Sequence, residues 1–194
     1  MRVISGNLRG TKLYTLEGQN TRPTLDRVKE SLFNIINFEI KDSIFLDLFA
    51  GSGAIGIEFL SRRAKQVYFC DKSSKAVAMI EKNLEKTKLK EKAIVYNKDY
   101  IDCINTVKNI KFDIIFLDPP YKEEFALDAI EKISNLQLLK DDGIIIIETD
   151  EPERDINRIN NMNINYKIYD LRKYGRVSLI FLKWKGKTWR YLPC

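Results

Sequence analysis

The central part of the chain, residues 44–148, alternates short apolar runs with segments whose apolar residues recur every three or four positions. The apolar runs predict strands at residues 44–49, 66–70, 93–96, 112–117 and 143–148. The periodic segments predict helices at about residues 54–63, 74–86, 100–109 and 124–137. Near-continuous apolar strands between amphipathic helices are typical of a parallel sheet that is covered on both faces. We therefore predict a doubly wound α/β domain.

Different patterns flank this central part on both sides. Residues 2–16 alternate weakly around two glycines and predict a short hairpin or arm, which is followed by a helix with Thr24 as its N-cap. Pro152 and the Asn-rich stretch 157–165 predict turns. Residues 166–171 and 177–184 alternate like two antiparallel strands, which brings the predicted sheet to seven strands. The predicted organisation is an arm and helix over 1–40, the α/β domain over 41–185 and a tail over 186–194.

Composition narrows the class of protein. The 194 residues are 44% hydrophobic and 31% charged, as expected for one globular domain. There is no apolar run of membrane-spanning length and no signal-peptide core at the N-terminus, so we expect a cytoplasmic protein without a membrane partner. The three cysteines lack metal or redox spacing, and we expect two buried thiols and one thiol in the tail. Histidine is absent, which removes the usual general base and the usual zinc ligand.

The net charge of +6 is distributed unevenly. Residues 161–194 contain eight Lys or Arg and a single acidic residue, and residues 1–40 are also basic, whereas the centre is slightly acidic. Basic ends around an acidic centre favour a polyanionic partner, although a solvated basic surface that aids solubility would give the same pattern.

The first predicted strand ends in a glycine-rich turn, Gly51-Ser-Gly53-Ala-Ile-Gly56, which leads into a helix. A strand, a tight turn and a helix N-terminus form a pocket for a nucleotide-like ligand. Asp71 ends the second strand, where its carboxylate can accept both ribose hydroxyls of either NAD or S-adenosylmethionine. The glycine pattern therefore leaves the choice of nucleotide open.

Asp47 decides between these two ligands because it precedes the glycines. A carboxylate at this place repels a pyrophosphate but attracts a sulfonium with an α-amino group. We therefore predict S-adenosylmethionine as the cofactor. Gly56, the third glycine of the pattern, is then expected to allow close packing of helix on strand.

Four acidic residues end the first four predicted strands in turn, namely Asp47, Asp71, Asp99 and Asp118. The fourth opens the segment Asp118-Pro119-Pro120-Tyr121, in which two prolines stiffen the backbone. The Asp118 carboxylate and the Pro119 carbonyl can accept hydrogen bonds from an exocyclic amino group, and Tyr121 offers a face on which a base can stack. Asp rather than Asn favours guanine, which presents two adjacent donors. A DNA adenine, another RNA base or a protein glutamine as the target stays open, and so does a non-enzymatic RNA-binding module.

The sequence resembles a known family. The motifs Asp47-x-Phe-x-Gly-x-Gly53 and Asp118-Pro-Pro-Tyr121 are similar to those of amino-group methyltransferases. Over more than nine tenths of its length the chain resembles the RsmD-type 16S ribosomal RNA guanine-N2 methyltransferases. This closer resemblance adds Arg2-Val-Ile-Ser-Gly6, Arg9-Gly10 and the run from Arg22 to Asn34. It implies a Rossmann-like class I methyltransferase fold, S-adenosylmethionine as cofactor and 16S rRNA of the small ribosomal subunit, or of an assembly intermediate, as partner of a monomeric enzyme.

The resemblance also implies roles for individual residues. Asp47, Gly51 and Gly53 would surround the methionine part of the cofactor, with Asp71 at the ribose and Asp99 and Tyr100 at the adenine. Asp118, Pro119, Pro120 and Tyr121 would hold the target guanine. Asp71 stands where the family more often has Glu, and the tail from Lys185 has no counterpart in the family.

Basic residues near the predicted active site are candidates for substrate binding. Arg22, Thr24 and Arg27 belong to the first helix or its approach, which we expect to lie over the active site. Arg22 and Arg27 could instead form structural ion pairs with Asp26 or Glu30. Arg172 and Lys173, in the turn of the C-terminal hairpin, are further candidates for phosphate contacts.

Overall fold

The computed structural model describes residues 1–16, 23–120 and 125–186, with the backbone alone at 23–26. Within these ranges the α-helices are α1 (Pro23–Ile35), α2 (Ala54–Ser61), α3 (Ser74–Thr87), α4 (Tyr100–Thr106), α5 (Phe125–Asn135) and α6 (Pro152–Asn161). The strands are β1 (Ile44–Asp47), β2 (Gln66–Asp71), β3 (Ala93–Asn97), β4 (Phe112–Leu117), β5 (Leu139–Thr149), β6 (Tyr166–Tyr174) and β7 (Val177–Trp184).

The seven strands form one sheet in the order β3-β2-β1-β4-β5-β7-β6. The first five are parallel, whereas β7 pairs antiparallel with both β5 and β6. The strand order reverses between β1 and β4, and in open α/β sheets ligands bind beside the carboxyl ends of the strands at such a point. The predicted fold, a mostly parallel Rossmann-like sheet closed by an antiparallel hairpin, is confirmed.

Alternate residues along each strand point to opposite faces of the sheet and build two cores. On one face, Phe45, Phe116 and Ile146 pack with apolar residues of α1, α2 and α3. On the other face, Leu46, Ile115 and Ile145 pack with α4, α5 and α6. Cys70 and Cys103 are buried in this second core, as expected for small apolar side chains, and Cys194 lies outside the described residues.

The N-terminal arm folds back on itself and is fixed to α2. Arg2 pairs antiparallel with Lys12, and the arm's backbone is bound by two side chains of α2, Glu58 and Ser61. Glu58 is fully buried; its two carboxylate oxygens accept the N–H groups of Ile4 (2.8 Å) and Ser5 (2.9 Å). The same carboxylate pairs with Lys29 of α1 at 3.0 Å and with Arg62 at 2.9 Å. The arm, α1 and α2 are thereby joined through one buried side chain.

Two local predictions were wrong. Residues 157–161 form part of α6 instead of a turn, because Pro152 occupies the first turn of the helix, where its missing N–H costs nothing, and because Ile159 is buried beneath it. Helix α1 begins at Pro23, so Thr24 lies inside the helix and is not its N-cap. Within the part of the chain that the structure describes, no helix is long and apolar enough to cross a bilayer.

Candidate active site

A cavity of about 690 Å³ opens at the carboxyl ends of the parallel strands, where the strand order reverses. Its wall comes from the turn after β1, the ends of β2 and β4, the start of α4, β5 and one side of α1. This volume lies within the range of sites for cofactor-sized molecules.

The cavity brings together the four strand-end carboxylates that the sequence singled out, Asp47, Asp71, Asp99 and Asp118. A fifth, Glu148 near the end of β5, also lines the wall and was missed. The rule that selected the other four would have found it, because Glu148 ends the fifth predicted strand. Within the described ranges, no group of three or more acidic or cysteine side chains is arranged to hold a metal ion. The five carboxylates outnumber the three lysines of the wall, Lys29, Lys72 and Lys98, and this acidic surplus favours a cationic ligand.

Asp47 is the most deeply buried of these carboxylates, with 2% of its surface exposed. It ends β1 below the N-terminus of α2, where it accepts a hydrogen bond from the backbone N–H of Gly56. Its Oδ2 atom is buried and has no hydrogen-bond partner among the residues that the structure describes. Burial raises the pKa of Asp47 to about 7, against the opposing effect of the Gly56 N–H and with a further increase from the nearby Asp71 charge. A buried acceptor without a donor is costly, so a ligand that supplies a positively charged donor gains from binding here.

The glycine turn between β1 and α2 is fixed by the surrounding protein. Gly51 and Gly53 adopt positive φ angles of 54° and 76°, which other residues rarely adopt. The N–H of Ala50 donates to the Cys70 carbonyl at 2.9 Å, and the N–H of Gly51 donates to Asp71 Oδ2 at 2.8 Å. A Cβ atom on Gly51 would meet no atom of the described part of the chain within 4 Å, so this part of the turn faces open space there.

Gly56 differs from the other two glycines, as the sequence predicted. A Cβ atom built on Gly56 would lie 2.2 Å from a ring carbon of the buried Phe69. The third glycine of the pattern therefore allows α2 to pack closely against β2.

Asp71 and Asp99 each accept hydrogen bonds from the protein's own backbone. The two carboxylate oxygens of Asp71 accept the N–H groups of Gly51 and Ser73, both at 2.8 Å. Asp99 caps α4 by accepting the N–H of Asp102 at 2.9 Å. Each oxygen keeps a second lone pair, so both side chains stay able to accept hydrogen bonds from a ligand. Their assignment to ribose and adenine stays a prediction.

Aromatic rings form one wall of the cavity, and sequence reasoning found only Tyr100 among them. Its ring centroid lies 5.6 Å from that of Phe49 and 5.0 Å from that of Phe125, and its hydroxyl donates to Asp128 at 2.9 Å. Phe49 lies within the predicted motif but was given no role. A flat, apolar wall of this kind suits the face of an aromatic base.

Asp118 follows β4 directly and lies beside β1 at the reversal point. Burial raises its pKa well above the usual range, and the charges of Glu148 and Asp47 raise it further. Pro119 is buried and Pro120 exposed, and both line the cavity with Asp118. Tyr121, the last residue of the motif, lies outside the described residues.

The residues proposed for substrate binding are more scattered. Arg22 lies outside the described residues, and only the backbone of Thr24 is described. Arg27 is exposed on α1. Arg172 pairs with Asp170 at 2.9 Å, and Lys173 pairs with Glu153 at 3.5 Å; both lie on β6 and are not among the described residues of the cavity wall.

Lys29 of α1 is a cavity residue that sequence reasoning missed. Only 4% of its surface is exposed, and it lines the cavity while pairing with Glu58. No local pattern reveals it, because its partner lies 29 positions away in the sequence.

Comparisons with known proteins identify the family. The family model described as "Conserved hypothetical protein 95" matches residues 1–183. The putative rRNA methyltransferase YlbH of Bacillus subtilis is 42% identical over 152 residues, which are 77% of this chain and 83% of that protein. Ribosomal RNA small subunit methyltransferase D of Haemophilus influenzae is 40% identical over 153 residues, 78% of this chain and 79% of that protein. The chain belongs to the RsmD-type methyltransferase family.

A solved member shares the fold throughout. The putative methyltransferase yhhF from Escherichia coli superimposes with a TM-score of 0.79 at 27% identity, over 96% of this chain and 99% of that one. The resemblance that the motifs indicated is therefore confirmed, and the cavity beside Asp47 and Asp118 is the candidate active site of a methyltransferase.

Proposed function

We propose that this protein transfers a methyl group from S-adenosylmethionine to the exocyclic N2 amino group of a guanine in 16S ribosomal RNA. The observation that carries the proposal is that one cavity contains two acidic groups in different surroundings. Asp47 offers a buried oxygen that has no partner within the described ranges, and Asp118 heads a proline-stiffened segment beside it across the β1–β4 reversal.

The residues around the cavity fit S-adenosylmethionine. Asp47 Oδ2 would accept a hydrogen bond from the cationic α-amino group, and the open side of Gly51 would leave room for the methionine part. Asp71 would take the ribose hydroxyls, and Asp99 with Tyr100 would bind the adenine. A pyrophosphate would instead meet the carboxylates of Asp47 and Asp71 at the glycine turn, which disfavours a dinucleotide. When bound, the cofactor supplies a methyl group that is electrophilic because it is attached to a sulfonium.

Asp118 and the Pro119 carbonyl would hold the target base. An ionised Asp118 can accept the N1–H and 2-amino donors of guanine together, whereas adenine and cytosine present a donor beside an acceptor. Hydrogen bonds to two acceptors position the amino nitrogen and stabilise the positive charge that develops on it during transfer. The backbone before Pro119 and Pro120 is restricted, so these acceptors are fixed before the base enters.

The charge state of Asp118 links the two ligands. Burial raises its pKa, and the charges of Glu148 and Asp47 raise it further, so the protein's own groups disfavour its ionised form. A sulfonium cation and two N–H donors both favour that ionised form. Asp118 would therefore act as an electrostatic and positioning group, and alignment of nitrogen with methyl would supply much of the remaining rate.

Ribosomal RNA as substrate is supported by the names of the relatives and by charge. Both curated relatives described above are named as rRNA methyltransferases, and that of Haemophilus influenzae is named for the small subunit. Both ends of the chain are basic, and Arg22, Arg27, Arg172 and Lys173 are the candidates for phosphate contacts. The target guanine would have to leave its stack to reach the cavity. We propose that the enzyme acts as a cytoplasmic monomer on the small subunit or an assembly intermediate of it.

The test is methyl transfer from labelled S-adenosylmethionine to three substrates in parallel. These are small subunits from cells that lack the gene, duplex DNA, and a protein extract. Label in N2-methylguanosine of 16S rRNA is the expected result. Label in methyladenine, or only in DNA or protein, would contradict the proposal.

A further inference from the structure

Asn83 lies fully buried on α3, and its side-chain amide joins two segments that are far apart in the sequence. Its Oδ1 accepts the N–H of Tyr14 at 2.8 Å, and its Nδ2 donates to the Tyr14 carbonyl at 3.0 Å. The same Nδ2 also donates to the carbonyl of Ser52 at 3.0 Å. One amide thus forms hydrogen bonds with the end of the N-terminal arm and with the glycine turn at the same time.

The two segments serve different parts of the proposed reaction. Ser52 lies between Gly51 and Gly53 and lines the cavity where the cofactor would bind. Tyr14 lies near the end of the arm, and the chain continues from there through Arg22 to α1, whose Lys29 lines the same cavity. The Tyr14 side chain is 51% exposed, with the Lys86 ammonium 4.3 Å from its ring centroid. This end of the arm therefore presents an aromatic ring and a cation to solvent, a combination suited to nucleic acid.

We propose that Asn83 is a positioning residue that couples cofactor binding to RNA binding. The inference rests on the proposed function, since it takes the arm to be part of the RNA surface. Its amide can bind the backbone of Ser52 and of Tyr14 together only when the turn and the arm lie in one relative position. Breaking any of the three hydrogen bonds leaves a buried polar group unpaired. A ligand that binds the glycine turn in the position fixed by Asn83 therefore also favours the position of the arm that the same amide holds. By linkage, RNA that binds the arm in this position favours cofactor binding at the turn to the same degree.

Two substitutions at this position test the coupling. Asn83→Asp keeps the size and the acceptor for the Tyr14 N–H, but places an oxygen where two carbonyls need donors. Asn83→Gln keeps the amide and moves it by one methylene. This variant tests the coupling if the aspartate variant does not fold. Thr87→Val is the matched control, because the Thr87 hydroxyl is buried on the same helix and donates to the backbone carbonyls of Asn83 and Leu84 within α3.

The measurement is the dissociation constant of S-adenosylhomocysteine with and without saturating small subunits from cells that lack the gene. The product is used because it permits no turnover. In the native protein and in Thr87→Val we expect subunits to tighten binding at least about fivefold. In both Asn83 variants the ratio should fall to about one, whatever happens to each separate affinity.

The ratio distinguishes coupling from a structural role. Asn83 variants that have a lower melting temperature but the native ratio would overturn the inference, and so would a native ratio of one. If the native protein binds the product but no subunits, the proposed function itself fails, and the inference fails with it.

Discussion

Two buried carboxylates near α2, Glu58 and Asp47, differ in the hydrogen-bond partners that the protein provides for them. Glu58, inside the helix, is fully buried and is bound by two backbone N–H groups, Lys29 and Arg62. Asp47, at the end of β1, is almost as buried, yet among the described residues it has the N–H of Gly56 for one oxygen and no partner for the other.

This difference indicates a structural role for Glu58 and a ligand-binding role for Asp47. A buried charge with a full set of partners fixes the segments that supply them, which here are the arm, α1 and α2. A buried acid that lacks hydrogen-bond partners lowers the stability of the fold. Proteins keep such a residue where a bound ligand donates the missing hydrogen bond. The same substitution, from carboxylate to amide, should therefore have opposite effects on stability at the two positions.

The largest effect is expected at Glu58. Glu58→Gln removes the carboxylate partner of Lys29 and Arg62, and breaking a buried pair in this way costs about 3–5 kcal/mol of unfolding free energy. Urea denaturation measures it. The control is Glu81→Gln at the pair with the exposed Lys90, where the loss should be much smaller because solvent screens the pair. Equal losses at the two sites would refute the structural role of Glu58.

At Asp118 the effect should fall on turnover and not on folding. Asp118→Asn removes an acceptor at the developing charge and should lower kcat by about 10²–10³-fold. Steady-state kinetics measures this, with the dissociation constant of S-adenosylhomocysteine expected to change by less than about threefold, because the base and not the cofactor loses its contact. Asp141→Asn, at an exposed position near the amino end of β5, is the matched control. A variant that loses cofactor binding as much as turnover would contradict this assignment.

At Asp47 we expect a gain in stability that depends on pH. The pKa of Asp47 is raised from 3.8 to about 7 in the folded chain, so the folded state keeps a proton that the unfolded state has already released. The native chain therefore loses stability as the pH rises from about 4 through 7. Without cofactor, Asp47→Asn should gain on the native chain by about 1.4 kcal/mol for each pH unit between 5 and 7. Urea denaturation at several pH values measures this; a difference that does not change with pH would show that Asp47 does not titrate in this range.

The same contrast shows which features the sequence could predict. The strands, most of the helices and the positions of Asp47 and Asp71 follow from local patterns, because a strand, its turn and the next helix are contiguous. Asp118 was predicted from the same rule applied to β4. Glu148 was missed although it ends the fifth predicted strand, where the same rule on acidic strand ends predicts a site residue.

Other features could not be predicted, because they depend on contacts between distant residues. The pairing of Lys29 with Glu58 and the bonds of Asn83 to Tyr14 and Ser52 join segments that only the fold brings together. Helix α6 was missed since its sequence is rich in Asn and begins with Pro, and what stabilises it is burial of Ile159 in the tertiary core.

The central claim is that Asp47, whose Oδ2 has no hydrogen-bond partner among the described residues, binds a cationic cofactor. The dependence of S-adenosylmethionine affinity on pH tests this claim most directly. Calorimetric titration from pH 5.5 to 7.5 should show affinity rising by about tenfold for each pH unit and levelling off near pH 7, because only the ionised carboxylate attracts the amino group. In Asp47→Asn the Asp47-dependent rise should vanish, and affinity at pH 7.5 should be at least about tenfold lower. A variant with the native affinity and the native pH dependence would contradict the account.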